Sequence, residues 1–186
     1  MERNPQREDT VLIPEELAES FEPIIGQAVT LRPLRPEDAD IESAFLTALS
    51  PETRASRLLG GVIKITREYI AHLTSVDYRR DMAIAATVML EERETLIGVA
   101  RYVRDTDGKA CEFAIVIADA WQGRGIGRRL LEKLVAVARN LGIGRIYGDV
   151  LATNAGMLAL ARHLGFNLSR VPDDPTLTRI ALELAT

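Results

Sequence analysis

The chain has 186 residues, 47% of them hydrophobic, and a formal net charge of −4, enough apolar material for one domain with a full core and no covalent staples. A single cysteine excludes an intrachain disulfide framework and a cysteine-based zinc site. With no run of roughly 18 apolar residues and no cleavable signal segment, a cytoplasmic protein off the membrane is expected, and a surface without excess Lys and Arg argues against nucleic-acid binding.

Residues 1–27 are polar and acidic and are interrupted by Pro5, Pro14 and Pro23. They are expected to form an N-terminal extension, mobile over about the first ten residues, with the folded domain running over 28–186. Pro36, Glu37 and Asp38 open a helix to about Leu49, and Ser50 before Pro51 has the form of an N-cap for a second. A third short helix is predicted over Thr66 to Thr74. Met82 to Glu91 and Thr95 to Arg104 read as a hairpin, and Asp107-Gly108 turns the chain into a strand from Cys111 to Ala118. A helix from Gly125 to Asn140 and a strand from Arg145 to Leu151 complete a βαβ unit. The chain closes with a helix after Asn154, a strand near Phe166 to Arg170, a loop at 172–175 and a strand from Leu177 to Leu184. The pattern is that of an α/β domain with a mixed, mainly antiparallel sheet and flanking helices.

The segment WQGRGIGRR, Trp121 to Arg129, sits between the central strand and helix of the βαβ unit. Glycines at 123, 125 and 127 let successive N–H groups converge at a helix N-terminus, which suits a pyrophosphate. A Walker A loop fails because Arg128 and Arg129 stand where Lys and Ser or Thr are needed, and a dinucleotide fingerprint lacks its third glycine at 128. Ile126, Leu130, Leu134, Val137 and Leu141 recur at helical spacing, so the helix is anchored by one face. Arg124, Arg128 or Arg129 can then add charge-assisted contacts to phosphate, or serve only as a solvated helix face.

What fits is Gln122-Gly-Arg-Gly125-Ile-Gly127, which resembles the Q-x-x-G-x-G motif of the GNAT superfamily of acyl-CoA-dependent acyltransferases. Asn154 followed by LALARHLGF (158–166) resembles the family's later helix and turn, and VTLRPLRPED (29–38) its opening strand and first helix. More narrowly, SPETR (50–54), YRRDMA (78–83), GVARY (98–102) and EFA (112–114) resemble the bacterial Pat-type protein lysine acetyltransferases. The resemblance implies acetyl-CoA as acyl donor, with propionyl- or succinyl-CoA left open, and no metal. The pyrophosphate would be held by Gln122, Gly123, Arg124, Gly125, Ile126, Gly127 and Arg128. Backbone groups of Ile115, Val116 and Ile117 would meet the pantetheine amides in a sheet that opens between the strands at 111 and 145. Asn154 would orient the pantetheine arm or cap its helix. Many GNAT enzymes carry a Tyr seven positions after this Asn, placed to protonate the leaving thiolate, where this chain has Ala161.

An attacking lysine amine arrives protonated, so a base is needed. Glu112 is the candidate, a carboxylate among Phe113, Ile115, Val116 and Ile117, where burial would raise its pKa; the alternative is a structural pair with an arginine such as Arg101. Cys111 alternates to the opposite face and is expected to be buried and inert, and His72 and His163 have no metal-ligand spacing. DYRRD (77–81) is expected on the acceptor side. The leading expectation is direct acetylation of a protein lysine, for example on an acyl-CoA synthetase, by a monomer or homodimer. The alternatives are a small-amine acetyltransferase and a non-catalytic acyl-CoA sensor.

Overall fold

The computed structural model describes residues 17–184. Its strands are β1 (Glu19–Ile24), β2 (Gln27–Pro33), β3 (Asp81–Leu90), β4 (Arg93–Arg104), β5 (Ala110–Ile117), β6 (Arg145–Leu151), β7 (Asn167–Val171) and β8 (Asp174–Glu183). They form one sheet in the order β1-β2-β3-β4-β5-β6-β8-β7, antiparallel throughout except for the β5–β6 pair. The helices are α1 (Ala39–Ala48), α2 (Pro51–Arg57), α3 (Arg67–Thr74), α4 (Ile126–Asn140) and α5 (Ala155–His163). None is long and apolar enough to cross a membrane.

Local chemistry explains most of the helix starts. The side-chain oxygens of Ser50, Thr66 and Asn154 each accept the backbone N–H three residues ahead, from Thr53, Tyr69 and Met157, satisfying donors that an uncapped helix would leave open. In α4 the side chains of Ile126, Leu130, Leu131 and Leu134 are fully buried against β3, β4 and β5. Each contributes about 1.5–3 kcal/mol by leaving water. Alternation along the strands divides the core in two. Met82, Ile84, Cys111, Phe113 and Ile146 pack with α4 on one face, while Ala83, Ala85, Val99 and Val116 pack with α1 and α3 on the other.

Two boundaries differ from the sequence expectation. The sheet already includes Glu19–Ile24 as β1, and Leu17 is buried, so ordered structure begins inside the segment read as an extension; the mobility expected of the first ten residues lies outside the described residues. Pro23 is tolerated because β1 is an edge strand, and α4 holds it through Lys133 Nζ to Glu19 Oε2 at 2.6 Å and the Arg129 guanidinium 5.3 Å from the Phe21 ring. At the other end, β8 begins at Asp174, so the loop at 172–175 shrinks to a tight turn. Pro175 precedes the stretch Leu177 to Glu183 that pairs with β6, so its missing N–H costs no rung there.

The parallel β5–β6 pairing lasts only from Ala110↔Arg145 to Glu112↔Tyr147. Beyond it the strands diverge while each stays paired on its outer side, β5 with β4 to Ile117 and β6 with β8 to Leu151.

Candidate active site

The divergence leaves a cleft of about 530 Å³ between β5 and β6, within the range of small-molecule sites. Of the residues singled out from the sequence, Glu112, Ile115, Val116, Ile117, Gln122, Gly123, Gly125, Gly127, Arg128 and Asn154 all line it. Residues up to 42 positions apart in sequence thus converge on one wedge, narrow at Glu112 and wide at the glycine loop. Gly148 shapes its base. A Cβ there would stand 2.8 Å from the Phe113 carbonyl oxygen and 3.2 Å from its ring, closer than packed atoms allow.

At the wide end, Gly123 (φ 72°) and Gly125 (φ 81°) lie in the left-handed region, with nothing within 4 Å of where a Cβ would point. Gly127 instead packs against β5, its Cβ position 3.6 Å from Ile117 Cγ1. The first bond closing α4 runs from the Arg129 N–H to the Gly125 carbonyl. The N–H groups of Gly123 to Arg128 therefore have no backbone acceptor among the described residues and add to the helix dipole at one point.

The side chains around this loop have other partners. Ile126 is fully buried in the core, so only its N–H faces the cleft. Gln122 donates through Nε2 to Thr53 Oγ1 and to the Ile117 carbonyl, both at 3.1 Å. Thr53 Oγ1 in turn donates to Asp119 Oδ1 at 2.6 Å, and Asp119 also accepts from the Ser50 hydroxyl and N–H. The SPETR segment, read as a helix cap and as part of the Pat-type resemblance, therefore also ties α2 to the loop. These bonds, from Ser50 first and Thr53 next, hold the Asp119 pKa down at about 2. Arg128 forms a half-exposed pair with Glu132 at 2.8 Å, and the Arg124 guanidinium lies 5.1 Å from the Trp121 ring. Both remain at the surface beside the loop.

Hydrogen-bond phase corrects one expectation on β5. The Asp105 N–H bonds the Ala110 carbonyl and the Ala118 N–H bonds the Ile97 carbonyl, so even-numbered residues of β5 turn their backbone groups to β4. Val116 is thereby committed to β4; the Phe113 N–H closes the last parallel rung with Tyr147, and the Phe113 C=O and the N–H and C=O groups of Ile115 and Ile117 face the cleft. The Ile117 carbonyl is already taken by Gln122.

Glu112 stands at the vertex, where β5 and β6 part. It is exposed, so the burial expected from its apolar neighbours is absent: the helices α1 to α3 cover this face over β3 to β5 and stop short of it. Nor does it pair with Arg101, which turns instead to Glu42 at 3.7 Å. Its surroundings are polar. Tyr147 lies directly across and donates its hydroxyl to Asp105 at 3.0 Å, and Asp149 holds Arg179 through two bonds at 2.5 and 2.7 Å. Asp81, Val103 and Glu112 fall in one cross-strand row on this face, so the DYRRD turn flanks the site without lining the cleft. Within it, Tyr78 is structural, its hydroxyl donating to the Leu34 carbonyl.

Asn154 caps α5 by accepting from the Met157 N–H at 3.0 Å, and its amide NH2 remains for the cleft. Ala161 is fully buried. Cys111 is fully buried, and desolvation pushes its thiol pKa up to about 12, as expected of an inert cysteine. His72 and His163 are exposed on α3 and α5, and no cluster of three or more metal-ligating side chains occurs among the described residues.

Comparison with known proteins agrees with this geometry. Residues 56–166 match the acetyltransferase (GNAT) family. The chain is 37% identical over 159 residues to acetyltransferase PA5475 of Pseudomonas aeruginosa, covering 84% of this chain and 86% of that protein. It is 32% identical over 142 residues to acetyltransferase Pat of Mycolicibacterium smegmatis, covering 75% of this chain but only 41% of that longer protein. The GNAT domain of S. lividans PAT superposes with a TM-score of 0.81 at 26% identity, over 92% of this chain and 99% of that domain. The chain belongs to the GNAT acetyltransferase family and is an acyl-CoA-dependent N-acetyltransferase.

Proposed function

We propose that the wedge between β5 and β6 seats acetyl-CoA, and that the acceptor is a protein lysine side chain. The observation that carries the reading is the alignment of three features along one cleft: free N–H groups at the glycine loop, the unpaired backbone groups of Ile115 with the Ile117 N–H, and a carboxylate at the vertex. The pyrophosphate binds the N–H groups of Gly123 to Arg128, with Arg124 and Arg128 adding charge. Gln122 shapes the loop through Thr53 rather than reaching the phosphate. The pantetheine arm pairs with β5 as an added strand would, and the Asn154 amide steadies it.

That path brings the thioester to the region of Ala114 and Glu112. The acceptor nitrogen attacks the carbonyl carbon, the new C–N bond forms as the C–S bond breaks, and the CoA sulfur leaves as thiolate. Glu112 takes the proton from the nitrogen; its exposure suits relay through one water. No enzyme-bound acyl intermediate is needed, and Cys111 is out of reach in the core.

For the acceptor, support comes from the Pat-like segments and the likeness to the M. smegmatis and S. lividans proteins. An acyl-CoA synthetase is the proposed protein, since neutralising its active-site lysine would remove an interaction with the acyl-adenylate. The test is incubation with acetyl-CoA and an acetyl-CoA synthetase, followed by mass spectrometry and synthetase assay. Stoichiometric acetylation of one lysine with loss of activity is expected. Efficient acetylation of a free polyamine with no protein modified would overturn it.

A further inference from the structure

Behind the β5 wall, under α1 to α3, lies a second and smaller chamber. It shares Arg57, Ala114 and Val116 with the cleft, so it opens beside the position proposed for the thioester. Its void of about 30 Å³ has room for roughly two water-sized groups.

The chamber's charges do not balance. Glu42 is 2% exposed and is its one buried carboxylate. Three guanidinium groups line the chamber with it: Arg101 and Arg57 are not tied to α1, while Arg54 Nη2 donates to the carbonyls of Leu46, Thr47 and Leu49 at the end of α1 and its Nε is buried with no hydrogen-bond partner. Arg101 uses Nη1 on the Leu73 carbonyl, while its Nη2 and Glu42 Oε2 are buried with no hydrogen-bond partner. Arg57 makes no hydrogen bond or ion pair among the described residues. Burial pushes the Glu42 pKa up and pulls those of Arg57 and Arg101 down, the behaviour of charges whose partners are too few.

We infer that this chamber is a subsite for a small carboxylate delivered from the cleft, held by Arg57 and by Arg101 Nη2, which meets Glu42 only at 3.7 Å and has no hydrogen-bond acceptor, with Tyr69 on its wall. One added negative charge would pair a surplus cation and give Arg101 Nη2 an acceptor, which an apolar tail cannot do. The carboxylate can arrive on the acyl group of a dicarboxylic thioester of the succinyl class, or on the acceptor beside its amine. The inference rests on the reading that acyl-CoA occupies the cleft.

The experiment measures calorimetric affinities of acetyl-, butyryl- and succinyl-CoA for the wild type, Arg57→Gln and Arg57→Lys. In parallel, KM values from acetyl-CoA are taken for lysine peptides carrying an adjacent carboxylate or its amide. Arg57 ends α2 and its side chain makes no hydrogen bond among the described residues, so both variants are expected to fold, and thermal unfolding checks this. Succinyl-CoA binding at least tenfold tighter than butyryl-CoA, with the ratio falling to about one in Arg57→Gln and kept in part by Arg57→Lys, assigns the subsite to the acyl group. A tenfold lower KM for the carboxylate peptide, lost in Arg57→Gln, assigns it to the acceptor. If acetyl-CoA binds while neither preference exists, the carboxylate subsite is wrong and the cleft assignment stands; if acetyl-CoA does not bind, the cleft assignment itself falls.

Discussion

Replacing Gly125 by valine tests the phosphate cradle, and the structure supplies its own control. Gly125 has φ 81° at the N-cap of α4, a conformation that costs an L-residue about 1–2 kcal/mol and a β-branched one more. Nothing lies within 4 Å of the added Cβ, so the penalty in the free protein is conformational and not a clash. For a chain of this size it lowers Tm by about 2–4 °C per kcal/mol. Gly142, just beyond α4, has φ 70° and equally open surroundings, so Gly142→Val should lose a similar amount of stability. The two variants part in binding. The valine methyls at 125 would occupy the space assigned to the pyrophosphate, so acetyl-CoA affinity should fall at least tenfold, about 1.4 kcal/mol, while Gly142→Val keeps wild-type affinity. Thermal unfolding gives the first quantity and titration calorimetry the second. A folded Gly125→Val protein with undiminished affinity would refute the cradle, and equal losses of affinity in both variants would trace the effect to destabilisation alone.

Glu112→Gln should leave acetyl-CoA affinity nearly intact and cut turnover by roughly 10² to 10⁴; wild-type turnover in a steady-state assay would return Glu112 to a surface role. Asp119→Asn should be less stable than the wild type near neutrality. Because the folded pKa of Asp119 is depressed to about 2, its contribution is present above the ordinary carboxylate pKa near 4 and is lost as pH falls through 2. Urea unfolding of both proteins against pH checks this: the difference should shrink on acidification, and a pH-independent difference would contradict it. Cys111, with its thiol pushed up to about 12 inside the core, should resist a thiol reagent in the native protein and react at once in denaturant. Rapid native labelling would show that β5 opens readily.

The parts of the molecule written in short-range chemistry were legible from residues alone. Ser50, Thr66 and Asn154 cap helices through N–H groups three positions away, and the glycine loop declares itself by spacing. What depended on distant neighbours was not. β1 is acidic and contains Pro23, and it is a strand because it is an edge that Lys133 and Arg129 fasten from α4. Glu112 has apolar neighbours on both sides, yet it is exposed because α1 to α3 do not reach that end of the face. Gln122 matches a phosphate-loop position, but its amide is committed to Thr53, 69 residues earlier. The buried Glu42 gives no sign of itself in a helix whose other acid, Asp40, is exposed.

The brevity of the β5–β6 seam, three residue pairs, bears on how the protein persists. Two half-sheets meet there over a short hinge, and a thioester cofactor bound in the gap as proposed would replace rungs that the chain does not supply. Ligand and fold are then thermodynamically linked: at a donor concentration 100 times its Kd the folded state gains about 2.7 kcal/mol. Unfolded molecules become roughly a hundredfold scarcer, and with them the species that proteases remove. The abundance of the protein would thus follow the supply of its own substrate.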